Sequence, residues 1–398
     1  MLIGLVGKPS VGKSTFYKAA TMAEVEIASY PFTTIKANHG VGYVKVDCLE
    51  KEFNTKCNPS HGFCLDGHRF VPIDLMDVAG LVPGASEGKG LGNKFLDDLR
   101  QADAFIHVVD ASGTTDIEGK PVEGHDPGKD VRFLDEELDN WYYNILMKVW
   151  KSFSRKAEIE SKQTGGPSFA DAVSKQFSGL KVHEYQIKEV LLKLSFSDSP
   201  SKWSDEEVRE FASSLRKKSK PLIIAANKCD YPSAKENIKK LENEFPDYLI
   251  YPCSADSELA LRQAAKAEII KYIPGEDHFE IKKDLAPKQI EALDRIKKDV
   301  LEVYQGTGVQ EVLNLAVFDL LGYLPIFPAS GNKLGDSKGN ILPDCFLLPP
   351  GSTALDFARF LHTDFANNFI KAIDARSKKA LGKDYKLKAR DALEIITR

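Results

Sequence analysis

At 398 residues the chain is long enough for two or three domains. Hydrophobic residues make up 42% and aromatics 10%, which supplies ample core material and excludes a largely disordered chain. The net charge of −4 excludes a polycation, so any nucleic-acid contact has to come from a local basic patch, and six cysteines do not make a secreted disulfide framework. No basic, apolar leader precedes the first strand and no uncharged apolar run is long enough for a membrane span, so a cytoplasmic, monomeric protein without a membrane partner is expected.

Leu2 to Val6 reads as a buried strand that ends at Gly7, and Lys13 to about Met22 reads as a helix. Further strands are expected at Phe70–Asp77, Phe105–Asp110, Leu222–Asn227 and Leu249–Ser254, with helical patterns between most of them. That alternation predicts an α/β fold with a doubly wound, mostly parallel sheet. Between about Val131 and Pro200 the pattern turns wholly helical. Leu134, Leu138, Trp141, Ile145, Val149 and Phe153 share one face, Gly165-Gly166-Pro167 stops it, and two antiparallel arms are expected. Ser204 with Glu207 marks a capping box where a helix returns to the sheet. Helices follow near Leu259–Lys271, Pro287–Tyr304 and Val309–Leu321. The remainder mixes turns, a helix at Thr353–Leu361 and strand and turn at Lys386–Ile396. The expected domains are 1–130 with 201–320 for the α/β domain, 131–200 for the helical insertion, and 321–398 for a small α+β domain.

Gly7-Lys8-Pro9-Ser10-Val11-Gly12-Lys13-Ser14, followed by Thr15, fits the phosphate-binding loop GxxxxGK[ST] between a strand and a helix, and makes the α/β domain a P-loop NTPase. Backbone amides would close around a β-phosphate, Lys13 would span β- and γ-phosphates, and Ser14 would coordinate Mg²⁺. Asp77-Val78-Ala79-Gly80 follows a strand, where a P-loop protein places a carboxylate behind the metal and a glycine amide that senses the γ-phosphate. Asn227-Lys228-Cys229-Asp230 ends another strand. A carboxylate there accepts from guanine N1–H and N2, a pair that adenine does not offer, so GTP and GDP are the expected ligands. Lys228 would lie over the base, and Ser254-Ala255 would offer an amide to guanine O6.

These motifs sit inside longer ones. Tyr30-Pro31-Phe32-Thr33-Thr34, and the run from Asp77 to Gly92 (DVAGLVPGASEGKGLG), resemble the Obg-related translation-factor GTPases, most nearly the YchF-like group in an archaeal-looking form. Leu347 to Ala358 (LLPPGSTALDFA) and His362-Thr363-Asp364 resemble a TGS domain, a β-grasp module shared with threonyl-tRNA synthetases. The resemblance implies a GTPase switch associated with the ribosome or translation machinery, in which Thr34 (with Thr33 as runner-up) closes on Mg²⁺ and Gly84–Gly92 is the second switch. It also implies a part in hydrolysis for His107, against which stands the reading of His107 as an ordinary core histidine.

Three departures bear on that reading. The chain keeps NKxD, whereas YchF proper has an altered base motif and favours ATP. Leu81 stands where many GTPases have a water-positioning Gln, so hydrolysis should be slow or use another group. Ser10 stands where potassium-activated relatives carry Asn. The alternatives are therefore a GTP-regulated binding module with negligible turnover, or a YchF-like ATPase. From Lys371 to Arg398 there are nine Lys/Arg against four Asp/Glu, a patch suited to RNA phosphates or simply to solvent. Cys57, His61, Cys64 and His68, with Cys48 nearby, leave open a metal site, a disulfide, or plain loop residues; the C-x3-H-x2-C-x3-H spacing is not a common zinc pattern.

Overall fold

The computed structural model describes residues 1–22, 39–78, 99–161, 163, 166–197, 199–329, 334–335 and 339–398. In chain order the elements are β1 (Leu2–Val6), α1 (Lys13–Thr21), β2 (His39–Asp47), β3 (Phe63–Leu65), β4 (His68–Asp77) and β5 (Ala104–Asp110). Then come α2 (Gly128–Met147), α3 (Trp150–Ser161), α4 (Phe169–Gln176), α5 (Glu184–Leu194), α6 (Asp205–Ser219), β6 (Leu222–Asn227), α7 (Ala234–Glu244) and β7 (Leu249–Pro252). The rest comprises α8 (Ala255–Lys266), β8 (Ile270–Tyr272), β9 (Phe279–Ile281), α9 (Pro287–Ile296), α10 (Val309–Asn314), β10 (Leu324–Pro328), β11 (Phe346–Leu348), α11 (Ala354–Leu361), α12 (Thr363–Asn367), β12 (Phe369–Asp374), β13 (Ala380–Leu381) and β14 (Ala392–Thr397). These form two compact units, Met1–Tyr17 with Leu75–Ser254, and Lys18–Asp74 with Ala255–Arg398.

In the first unit β1, β5, β6 and β7 lie side by side in that order and run parallel, with the end of β4 next to β1. β5 and β6 are buried at every position, as strands covered on both faces require. A parallel step needs a long crossover, and the crossover from β5 to β6 carries the helical insertion.

That insertion shares its core with the sheet: Val131, Leu134, Leu138 and Trp141 of α2 cluster with Phe105, Val109, Leu222 and Ile224. The two expected arms are in fact four helices. The apolar face read as one helix through Phe153 breaks after Met147, and Trp150 turns into an aromatic cluster. Trp150 lies 5.6 Å from Trp203, Trp203 lies 5.3 Å from Phe211 of α6, and Phe169 packs edge-on to Trp203 at 5.9 Å. The capping box at Ser204 and Glu207 starts α6 as the sequence indicated. Buried Arg216 then ties α6 to α2 through Asp139 (2.7 Å) and Asp135 (3.0 Å).

The second unit holds β2, β3 and most of β4, then α8 onward. The helix expected through Lys271 ends at Lys266. Glu268 takes φ +55 and Ile269 N–H reaches back to Ala264 O (2.9 Å), a left-handed stop that releases Ile270–Tyr272 as a strand. The C-terminal residues form a mixed sheet in the order β11-β10-β14-β12-β13, parallel only between β10 and β14. Phe357 of α11 packs on it with Ile326, Leu348, Leu387 and Leu393, and α11 starts at a capping box of Thr353 and Asp356.

If the aromatic cluster ties the insertion to the sheet, Phe211→Ala should cost about 3–5 kcal/mol of stability. Urea unfolding would measure it, and a loss below about 1 kcal/mol would mean that the insertion is held by other contacts.

Candidate functional site

β1 delivers the chain to Gly7, where the backbone turns under β5. A Cβ on Gly7 would lie 2.5 Å from Val108 O, and one on Gly12 (φ +90) would lie 2.3 Å from the Asn227 side-chain nitrogen. Both positions therefore require glycine. Ser10 also takes a left-handed φ of +63. The loop runs straight into the N-terminus of α1, with Phe16 N–H already bonded to Gly12 O (2.9 Å). An ordered loop feeding a helix N-terminus is an anion cradle by construction.

At the head of that helix the Ser14 hydroxyl donates to Asp77 Oδ2 (3.2 Å), and Lys13 Nζ stands 4.0 Å from Asp77 Oδ1. Burial lowers the pKa of Lys13, with the charge of Asp77 acting the other way. Asp77 Oδ1 is buried and accepts no hydrogen bond among the described residues. A hydroxyl and an incompletely satisfied carboxylate side by side are hard oxygen donors that fit Mg²⁺.

Lys8 belongs to the phosphate loop through its backbone alone. Its side chain points into the protein, 3% exposed, paired with Asp130 (2.8 Å) and donating to Thr115 O (2.7 Å). Its ammonium is therefore not available to phosphates, and only its backbone N–H remains for that purpose. Asp130, at the start of α2, had no motif to announce it, and its other oxygen meets His125 (2.8 Å).

The base motif is braced against this loop. Asn227 Nδ2 donates to Val11 O (2.8 Å). Lys228, at φ +62, is held by Asp110 Oδ2 (2.8 Å). Cys229 N–H bonds Cys253 O (3.1 Å), which links the motif to the end of β7. Asp230 is half-buried, and its carboxylate is in no ion pair among the described residues. Ser254 is buried at the end of the first unit, and Ala255 opens α8.

Asp110 is the residue that motif reading missed. It closes β5 fully buried and accepts from Lys228, Ser112 and Thr115. Burial opposes its ionisation, but the Lys228 ammonium and the two hydroxyls outweigh it and hold the carboxyl below the usual range. Its only signal in the sequence is an acid ending an apolar strand, at the edge where α/β sheets carry their sites. Thr33, Thr34, Gly80, Leu81 and Gly84–Gly92 lie outside the described residues.

Comparison with known proteins accords with this geometry. Residues 2–147 match the 50S ribosome-binding GTPase family, 225–331 match the Obg-like GTPase YGR210-like, G4 motif-containing domain, and 337–397 match the TGS domain. An uncharacterized GTP-binding protein of Methanocaldococcus jannaschii is 50% identical, across 100% of this chain and 99% of its own. The chain belongs to the YchF/Obg-like GTPase family. The crystal structure of a GTP binding protein from Pyrococcus horikoshii OT3 superposes with a TM-score of 0.79 at 40% identity, covering 100% of both chains. The ribosome-binding ATPase YchF of Bacillus subtilis is 28% identical, over 93% of this chain and 87% of that protein.

His107 lies inside β5, 2% exposed. Burial, and secondarily the charge of Lys8, push its pKa down to about 3, so the imidazole is neutral. A histidine held below its unfolded pKa of about 6.5 takes up its proton only on unfolding, so its stabilising contribution fades as pH falls from 6.5 toward 3. At pH 5 the loss is about 2 kcal/mol. In His107→Gln the stability difference between pH 7.5 and pH 5 should shrink by about that amount. An unchanged difference would show that His107 is not buried neutral.

Proposed function

We propose that the first unit binds GTP with Mg²⁺, hydrolyses it to GDP and phosphate, and uses the exchange to switch association with the ribosome. The observation that supports this reading is the hydrogen bond from Asn227 Nδ2 to Val11 O, which joins the Asn227–Asp230 segment to the Gly7–Ser14 loop.

In this reading Gly7–Thr15 wraps the phosphates. Lys13 spans the β- and γ-phosphates, relieved of Asp77 by the ligand. Ser14, with Asp77 behind it, would hold Mg²⁺, which supplies charge neutralisation at the phosphates. Thr34 and the Gly80 amide belong to the segments that close on the γ-phosphate. Asp110 keeps the Lys228 stem extended across the floor of the base pocket, leaving Asp230 to accept from guanine N1–H and N2. Leu81 leaves water without a side-chain partner at that position, so basal turnover is slow and an activating surface raises it. His107, neutral and buried inside β5, is read as a core histidine rather than a partner of the attacking water.

Base choice is directly testable. Asp230→Asn replaces an acceptor by a donor and should weaken GTP by at least tenfold, while improving xanthosine triphosphate, whose C2 oxygen accepts where guanine donates. Equal affinity of the unmodified protein for ATP and GTP would favour the ATPase alternative, which the name of the Bacillus relative raises.

Ribosome association is supported by the relatives' names and by charge. Arg376 and Arg390 are both drawn to Glu52, while Lys371, Lys378, Lys379, Lys383, Lys386 and Lys388 are exposed. Replacing Lys378, Lys379 and Lys383 together by Glu should reduce cosedimentation with ribosomes and flatten its salt dependence by about three charges. Unchanged cosedimentation, or equal binding with GDP and a non-hydrolysable GTP analogue, would sink the switch.

A further inference from the structure

The sequence brings five candidate metal ligands, Cys48, Cys57, His61, Cys64 and His68, close together in the chain, and the structure separates them. His61 Nδ1 pairs with Asp344 (2.6 Å), and His68 turns to Asp47 (3.5 Å) and Glu276 (3.7 Å). Cys48, Cys57 and Cys64 instead converge with Glu50, one ligand atom from each lying within 4.8 Å of all the others.

The local backbone explains the convergence. Cys48 follows directly on β2, and its N–H bonds Gly67 O (2.8 Å). Gly67 belongs to the two-residue Asp66-Gly67 turn between β3 and β4, and both residues have positive φ (+47 and +86), the hairpin turn that Asp-Gly favours. The hairpin places Cys64 opposite Arg69 in register, hence on the same face. A tight turn after Leu49 brings Cys57 back, and Cys57 N–H donates to Glu50 Oε2 (3.1 Å). That bond orients the carboxylate and leaves Oε1 toward the thiols, the outer support that ligating carboxylates require.

Two of the six ligand pairs have the spacing of a coordination tetrahedron, and the rest lie within 4.8 Å. With Zn–S of about 2.3 Å and Zn–O of about 2.0 Å, a tetrahedral ion sets S···S near about 3.8 Å and S···O near about 3.5 Å. Cys48 and Cys57 sulfurs stand 3.7 Å apart, and Cys64 Sγ stands 3.6 Å from Glu50 Oε1. A disulfide would need about 2.05 Å between two sulfurs and has no use for a third thiol or a carboxylate.

Charge gives a second, independent indication. Arg69 is fully buried, and among the described residues it has no carboxylate partner. It donates to Leu342 O (2.6 Å) and points at Cys48 Sγ (3.9 Å), while its Nε and Nη1 have no hydrogen-bond partner. A buried guanidinium facing neutral thiols is costly. Facing a metal bound by three thiolates and one carboxylate, whose net charge is negative, it is compensated.

We propose that Cys48, Glu50, Cys57 and Cys64 form a structural zinc site, closed by four protein ligands and stabilised from outside by Arg69. Soft thiolates select zinc over the magnesium expected at the nucleotide, and four protein ligands leave no open position for catalysis. Glu50, Cys57 and Cys64 also line a cleft of about 1050 Å³ in the second unit, which gives the ion a way in.

The test uses the full chain purified in reductant without chelator. Elemental analysis should find about one zinc per chain, released by a mercurial reagent. Replacing the metal by Co²⁺ should produce thiolate-to-cobalt charge-transfer absorption and the strong visible bands of a tetrahedral ion. Cys57→Ser combined with Cys64→Ser should lose the metal, whereas His61→Ala and His68→Ala should keep it. The Co²⁺ spectrum is read on the unaltered chain, so it stands even where a cysteine variant fails to fold. Failure of the reduced chain to take up either zinc or Co²⁺, a Cys48–Cys57 disulfide found by mass spectrometry in the purified protein, or loss of the metal from the histidine variants would overturn the proposal.

Discussion

A hydrogen bond from the Asn227 side chain to Val11 O joins the two halves of the candidate site. Asn227 closes β6 and Val11 lies in the loop after β1, two strands apart across the sheet. The bond is possible only because Gly12 has no side chain, since a Cβ there would occupy the space of the Asn227 nitrogen. It makes the loop's shape depend on the end of β6, so the distance between a phosphate cradle and a base pocket is set by the sheet rather than by loop flexibility. A site whose parts are held before ligand arrives loses less entropy on binding.

Two ion pairs, each on a buried carboxylate, extend the same frame. Lys228 with Asp110 ties the base motif to the end of β5, and Lys8 with Asp130 ties the phosphate loop to the start of α2. Each is a charge that burial would penalise if its partner were absent. The second has a structural consequence: α2 carries the helical insertion, whose core is continuous with that of the sheet. The phosphate loop and the insertion are therefore joined through packed contacts inside one unit.

Much of this was legible in the sequence because it is local. The apolar runs at Leu2–Val6, Phe105–Asp110 and Leu222–Asn227 became parallel strands, since a strand buried on both faces has to be apolar throughout. The phosphate loop, the base motif and the capping box at Ser204 are likewise written in consecutive residues. What was hidden depends on distant partners. β2 carries two glycines and alternates weakly, so it does not read as a strand until β4 lies beside it. The direction of the Lys8 side chain is not written in its motif, because Asp130, more than a hundred residues on, turns it inward. The cysteine segment stayed open for a similar reason: chain spacing does not show that Cys48, Glu50, Cys57 and Cys64 converge while His61 and His68 turn to other partners.

The central claim is that the frame comes before the ligand, and calorimetric titration of Asn227→Ala with GDP tests it most directly. The side chain donates to Val11 O, accepts from the Cys253 thiol and carries no charge, so its loss should leave the fold intact and weaken GDP by at least about tenfold, through the lost bond to the loop and the loop order that it enforces. A folded Asn227→Ala protein that binds GDP as tightly as the unaltered chain would contradict the account.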